Sequence, residues 1–204
     1  MGLAILHRMR ILLVFFMFVG VSVADSKTIV LGGGCFWCLE AVFDGFKGVS
    51  SAVSGYSGGS AEDASYEKVG TGKTGHAEVI EVKYDPAVIS LPVILEIFFH
   101  AHNPTTKDRQ GNDVGPQYRS SIFYNDPNEL SVVQAAVKEV SSAKLWGDDL
   151  IVTEIKPLDK FYSAEAYHQE YFLNNPSAPY CSLVIAPKVR KIYTKYRDRI
   201  KSQP

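Results

Sequence analysis

Thr28-Ile29-Val30-Leu31-Gly32-Gly33-Gly34-Cys35-Phe36-Trp37-Cys38-Leu39-Glu40 is the stretch on which the reading of this chain turns. An apolar run that ends in three glycines predicts a strand at 28–32. Leu39, Val42, Phe43 and Phe46 then fall on one side of a helix predicted at about 36–46. Cys35 stands at the start of that helix, where it meets the positive end of the helix dipole and the first free N–H groups. Both favour the thiolate, the nucleophilic form of cysteine. Phe36 and Trp37 beside it offer an apolar contact surface. The expectation is sulfur chemistry on a ligand that carries a small apolar group.

Outward from this unit, Val49 to Tyr56 alternates and reads as a second strand. A glycine-rich loop from Gly55 to Gly75 holds Tyr56 and Tyr66. His76 to Tyr84 alternates again and stops at Asp85-Pro86. Ser90-Leu91-Pro92 opens a helix, with Ser90 as N-cap and Pro92 in the first turn. A polar loop over 103–118 carries Asp108, Arg109, Gln110, Asn112, Asp113 and Gln117. Beyond it the pattern predicts a strand at 119–124, a helix at 127–145, a strand at 150–155 and a helix at 163–173. A loop over 174–180 leads to Cys181. The β-α-β-β-α-β order of the first part predicts an α+β fold. Its centre is a ferredoxin-like split β-α-β core with a mixed sheet, carrying additional helices and long loops. Long loops are often functional.

Residues 1–24 read as a cleavable secretory signal. His7, Arg8 and Arg10 make a basic start, Ile11 to Val21 is apolar apart from Gly20, and Ser22-Val23-Ala24 is a small-residue cleavage site. The run falls short of the roughly 20 apolar residues of a membrane span. Cleavage leaves residues 25–204 as a single catalytic domain of an exported protein, periplasmic or secreted. The leader holds two of the 21 basic residues and no acidic one, so the rest carries 19 against 22, a net charge of −3. Lys188, Arg190, Lys191, Lys195, Arg197, Arg199 and Lys201 cluster at the end, but Val189, Ile192 and Tyr193 interrupt them. That pattern is a solvated helix face, not a nucleic-acid site. There is no strand-linked G-x-G-x-x-G and no P-loop, so no cofactor is expected. With no uncovered apolar stripe, a monomer is the default.

Cys35, Cys38 and Cys181 are an odd set for an exported chain. One thiol stays unpaired or the pairing changes during turnover. C-x-x-C alone fits disulfide exchange, zinc binding or haem attachment. Haem attachment needs His where Leu39 stands, and zinc needs two further ligands with no second paired motif to supply them. Disulfide exchange accounts for the C-x-x-C but not for the polar loops or Cys181.

Further motifs appear in order: Gly55-Tyr56-Ser57-Gly58-Gly59, Gly75-His76-Ala77-Glu78 and Tyr84-Asp85-Pro86, then Gln110-Gly111-Asn112-Asp113 and Gln117-Tyr118-Arg119-Ser120. His168-Gln169-x-Tyr171, Asn175-Pro176 and Tyr180-Cys181 close the series. With Gly34-Cys35-Phe36-Trp37, this set resembles the peptide methionine sulfoxide reductases of the A class, from about Thr28 to Arg190. Any one motif is weak; the ordered set is specific.

The resemblance implies thiol-dependent reduction of methionine S-sulfoxide, free and in oxidised proteins and peptides, as a repair reaction. It implies Cys35 as nucleophile and Glu78 as proton donor. A donor carboxyl must be protonated when used, so a pKa raised by burial is expected. It assigns Tyr66 and Tyr118 to hydrogen-bond the sulfoxide oxygen, Asp113 to orient the site, and Phe36 and Trp37 to hold the S-methyl group. His76 reads as structural. Cys181 is expected to resolve the Cys35 sulfenic acid first, with Cys38 as relay or alternative. The commonest family pattern has glycine at position 38, so the order stays open. No metal is implied. The implied partner is thioredoxin or, outside the cytosol, a thioredoxin-like dithiol. Two other classes remain: a general disulfide oxidoreductase indifferent to Glu78, and a thiol- or metal-binding module that unfolds with chelator.

Overall fold

The computed structural model of the protein describes residues 26–202; the predicted leader over 1–24 lies outside the described residues. Strand β1 (Lys27–Gly32) runs through the centre and α1 (Phe36–Phe43) follows it directly. Then come β2 (Val49–Ser57), the short α2 (Tyr66–Val69), β3 (Ala77–Tyr84) and α3 (Leu91–Ala101). A small hairpin of β4 (Arg109–Gln110) and β5 (Asp113–Val114) precedes β6 (Ser121–Tyr124) and α4 (Pro127–Ser142). The chain closes with β7 (Glu154–Pro157), β8 (Phe161–Ser163), α5 (Tyr171–Asn174) and α6 (Ala186–Lys195).

The main sheet has the order β7-β6-β1-β3-β2-β8. Its inner strands β6, β1, β3 and β2 are each antiparallel to their neighbours and follow the order of the ferredoxin-like core that the sequence predicts. The sheet is mixed because β7 joins β6 in parallel, while β8 joins β2 antiparallel. On one face Ile29, Leu31, Ile80 and Val82 pack with Leu39, Val42 and Phe43 of α1 in the main core. Val30, Val79 and Phe123 form a second cluster, covered by Leu158 and Phe161. β1 is thus buried on both faces, which is why it reads as an unbroken apolar run. At Gly55 a Cβ would lie 2.4 Å from the Phe161 ring and the Tyr162 carbonyl, so β8 can close on β2 only over glycine.

Several boundaries differ from the sequence reading. The helix predicted at 163–173 is replaced by β8, a 3-10 turn at Ala166–His168 and the four-residue α5. Tertiary hydrogen bonds override the local helical pattern: Ala164 N–H donates to Ser54 O, and the Gln169 side chain bonds both the N–H and the carbonyl of Ser54. Glu170 at φ +52° leaves helical space altogether. The strand predicted at 150–155 begins only at Glu154, because Leu150 is 83% exposed with no sheet to face. α1 ends at Phe43, short of 46, and α4 ends at Ser142, short of 145. The loop predicted over 174–180 is shortened to 175–178 before Cys181. Cys181 opens a π-helical turn, Cys181–Ile185, that runs straight into α6, with Cys181, Ile185, Val189 and Ile192 on its buried side.

Candidate active site

Gly34, at φ +93°, turns the chain from β1 into α1. A Cβ there would also lie 2.7 Å from the Gln110 side chain, so the 103–118 loop seats on this turn. Gln110 is itself fixed by bonds to the N–H and carbonyl of Asn103. Cys35 is the N-cap residue of α1. A cavity of about 210 Å³ opens beside it, lined by Cys35, Phe36, Trp37, Tyr66, Glu78, Asp113, Tyr118 and Tyr180. Seven of these eight are residues the sequence singles out, and they arrive from α1, α2, β3, β5 and the turn before β6. Tyr180 was quoted only as a motif residue. Its hydroxyl donates to Asp113 Oδ2 at 2.8 Å and lies 3.9 Å from Cys38 Sγ.

Glu78 reaches the cavity from β3 and is buried. Its Oε2 accepts the Phe36 N–H at 3.1 Å. Burial pushes the carboxyl up to about 8 despite that hydrogen bond, with Asp113 and Cys38 adding to the rise. A protonated acid at neutral pH follows, as the sequence reading requires. Burial also raises Tyr66 and Tyr118, so both remain neutral hydroxyl donors.

The thiols depart from expectation. Cys35 does sit at a helix start, yet burial outweighs that effect and drives its thiol well up, with Cys38 adding to the rise. Cys38, one helical turn on, is drawn down to about 7, chiefly by a hydrogen bond from Cys35. Of the two thiols, Cys38 is therefore the more easily ionised. Burial and the Cys38 charge both raise Cys181. All three thiols are free and buried.

The apolar wall is braced from behind. Trp37 stacks on Tyr171 with ring centroids 3.7 Å apart and planes 7° apart, and its Nε1–H donates to His168 Nδ1 at 3.2 Å. His168 also packs against Phe36 and Tyr66. Glu165 accepts from the Tyr66 N–H at 3.0 Å and from the Tyr56 hydroxyl at 2.8 Å. Glu40, buried on α1, accepts from the Glu170 N–H and the Ser54 hydroxyl, each at 2.7 Å. Sequence reasoning missed Glu40 and Glu165 as supports of the site; His168 was visible only as part of its motif. His76, by contrast, holds its Nε2 2.8 Å from the Ser60 carbonyl in a structural setting.

An acid, two hydroxyl donors, a nucleophilic sulfur with a second thiol behind it, and an apolar wall converge on one small cavity. That set can bind a methyl sulfoxide, protonate its oxygen and receive the oxygen on sulfur.

The family model described as peptide methionine sulfoxide reductase matches residues 27–200. A peptide methionine sulfoxide reductase MsrA of Nautilia profundicola is 51% identical over 172 residues, 84% of this chain and 96% of that protein. The reduced form of Mxr1 from Saccharomyces cerevisiae superposes with a TM-score of 0.70 at 36% identity, covering 76% of this chain and 89% of the other. Mxr1 has also been solved in complex with Trx2, a chain that matches at a TM-score of 0.50 and 28% identity over 76% of this chain and 91% of its own. The chain belongs to the peptide methionine sulfoxide reductase family.

Proposed function

We propose that this protein reduces methionine S-sulfoxide, free and in peptides, and so repairs oxidised proteins. The observation that carries the reading is the pairing of Cys35 with a buried, raised-pKa Glu78 in one cavity. The S-methyl group packs on Phe36 and Trp37. Tyr66, Tyr118 and the Glu78 acid face the sulfoxide oxygen, and the Asp113–Tyr180 bond steadies the opposite wall.

Cys38 thiolate takes the Cys35 proton as Cys35 sulfur attacks the sulfoxide sulfur. Glu78 gives its proton to the oxygen. The new bond between Cys35 and the substrate sulfur then breaks together with the substrate S–O bond as the protonated oxygen passes to the Cys35 sulfur; methionine leaves two electrons richer and Cys35 is left as a sulfenic acid. A second thiol then attacks that sulfur, forming a disulfide and releasing water. Sequence analysis put Cys181 first in this role. The other order has its own support, because Cys38 stands one helical turn from Cys35, its N–H donating to the Cys35 carbonyl at 3.1 Å. Cys181 is fully buried in the π-helical turn, and burial and the nearby Cys38 raise its thiol. π-turns recur at functional sites of this kind.

A thioredoxin-type dithiol completes the cycle by reducing the last disulfide. The complex of the yeast relative with Trx2 supports that partner class. The 1–24 leader favours an exported enzyme, and with it a donor of the same class outside the cytosol.

The test is a dithiothreitol-driven assay on a methionine sulfoxide peptide, beside an assay on scrambled disulfides. Methionine formation that Glu78→Gln suppresses is the expected result. Disulfide isomerisation that ignores Glu78, without methionine formation, would replace this reading with general disulfide exchange.

A further inference from the structure

A second groove adjoins the catalytic cavity. It holds about 430 Å³ and shares Trp37 with the smaller cavity as a common wall. Its floor is the outer side of α1 at Ala41 and Asp44; α5 and α6 form the sides. Leu173 on α5 is 72% exposed at its edge, an apolar side chain that the fold itself leaves uncovered.

The charge in the groove is one-sided. Glu40, Asp44 and Glu170 line it, and Lys201 is the one basic residue among its described lining. Lys201 is already engaged, its Nζ donating to the Asp44 carbonyl at 2.7 Å. Burial is the main cause that raises Glu40 and Asp44; Asp44 and Glu170 add to the rise at Glu40, and Glu170 adds to it at Asp44 while Lys201 opposes it, so the carboxyls also repel one another. A cation placed there relieves that repulsion.

We propose that this groove is a subsite for the polypeptide that flanks the oxidised methionine, taking an apolar side chain next to a basic one. The proposal rests on the sulfoxide reductase reading above. A methionine sulfoxide side chain fills the small cavity, so its neighbours must lie outside it. Each residue of an extended chain advances about 3.5 Å, which brings positions one to three away past the outer edge of Trp37. There the apolar floor and the carboxyls wait together.

The experiment uses pre-reduced protein in single turnover, without reductant. Three substrates are compared: the capped single residue N-acetyl-methionine sulfoxide amide, a pentapeptide with Leu and Lys on both sides of the sulfoxide, and one with Ser and Glu there. The Leu/Lys peptide should react about tenfold faster at limiting concentration than the Ser/Glu peptide, the scale of one good apolar contact with a charge pair. In the double variant Glu170→Lys/Leu173→Ser that preference should collapse while the capped residue reacts as before, and high salt should erode it in the wild type. Equal rates for the two peptides, or a preference that survives the double variant, would overturn the subsite. So would a double variant that alters only the reaction with a thioredoxin, which would make the groove a reductant surface instead. Failure of the wild type on the capped residue would instead remove the underlying reductase reading.

Discussion

The Phe36 backbone N–H donates to Glu78 Oε2 at 3.1 Å. This one bond ties the first residue of α1 to the β3 strand, and so holds the acid one residue away from the reacting sulfur of Cys35. It uses a free N–H group of the helix start, which would otherwise bind an anion or water. The carboxyl keeps its other oxygen for the cavity. The spacing of nucleophile and acid is thus built into the backbone and does not depend on long flexible side chains.

The rate of methionine formation in single turnover should therefore be bell-shaped in pH. It should rise as Cys38 ionises at about 7 and fall as Glu78 loses its proton at about 8. Glu78→Gln keeps a hydrogen-bond acceptor for Phe36 but gives no proton; the rate should drop by about a hundredfold or more and the alkaline limb should vanish. Stopped-flow at a series of pH values checks both. An unchanged alkaline limb in Glu78→Gln would assign that limb to another group.

Tyr66 and Tyr118 act as a pair of neutral donors, so removing either hydroxyl weakens oxygen stabilisation without emptying the cavity. Tyr66→Phe and Tyr118→Phe should each slow the chemical step by about tenfold or more. The double variant should lose more than the product of the two, since the remaining hydroxyl compensates in each single variant. The substrate concentration at half-saturation should move little. Single-turnover rates against concentration separate the two effects.

The position of the thiols predicts which disulfide accumulates. After one equivalent of sulfoxide, Cys181→Ser should hold a Cys35–Cys38 disulfide. Cys38→Ser should hold a longer-lived Cys35 sulfenic acid, because the remaining Cys181 is fully buried in its π-helical turn with its thiol raised by burial. Dimedone trapping and non-reducing peptide mapping distinguish these species. Rapid Cys35–Cys181 pairing in Cys38→Ser would restore the order in which Cys181 resolves first.

Two buried carboxyls and the half-buried Asp44 give the fold a pH dependence of its own. Burial raises Glu78 to about 8, Glu40 to about 7 and Asp44 to about 6. In the unfolded chain such groups titrate near about 4. The folded state therefore binds more protons than the unfolded state between those values, and stability is lost as pH rises. Denaturant midpoints should fall from pH 5 toward about 8, and Glu40→Gln should flatten the middle of that decline. Urea unfolding at fixed salt checks the sign.

Much of this was legible from the chain because the relevant signals are local. The unbroken run Ile29-Val30-Leu31 announces a strand buried on both faces, and the glycines before Cys35 announce a turn that only they permit. Seven of the eight cavity residues arrive from five separate elements, and it was their ordered motifs, matched to a known family, that brought them together. What escaped was decided by distant partners. The 163–173 segment is helical by propensity, but Ser54 and Glu40 capture its backbone from other elements. The thiol balance escaped too: a helix start is visible in sequence, whereas the burial that outweighs it depends on the whole packed core. Cys181 could have been placed, since Cys181, Ile185, Val189 and Ile192 already repeat at helical spacing.

The most direct test of the central claim is single-turnover reduction of the two resolved epimers of one methionine sulfoxide peptide, by pre-reduced wild type and by Cys35→Ser. The account predicts loss of the S epimer alone, one equivalent per protein with wild type and none with Cys35→Ser. Loss of the R epimer, or of neither epimer by a folded and reduced protein, or turnover that survives in Cys35→Ser, would contradict it.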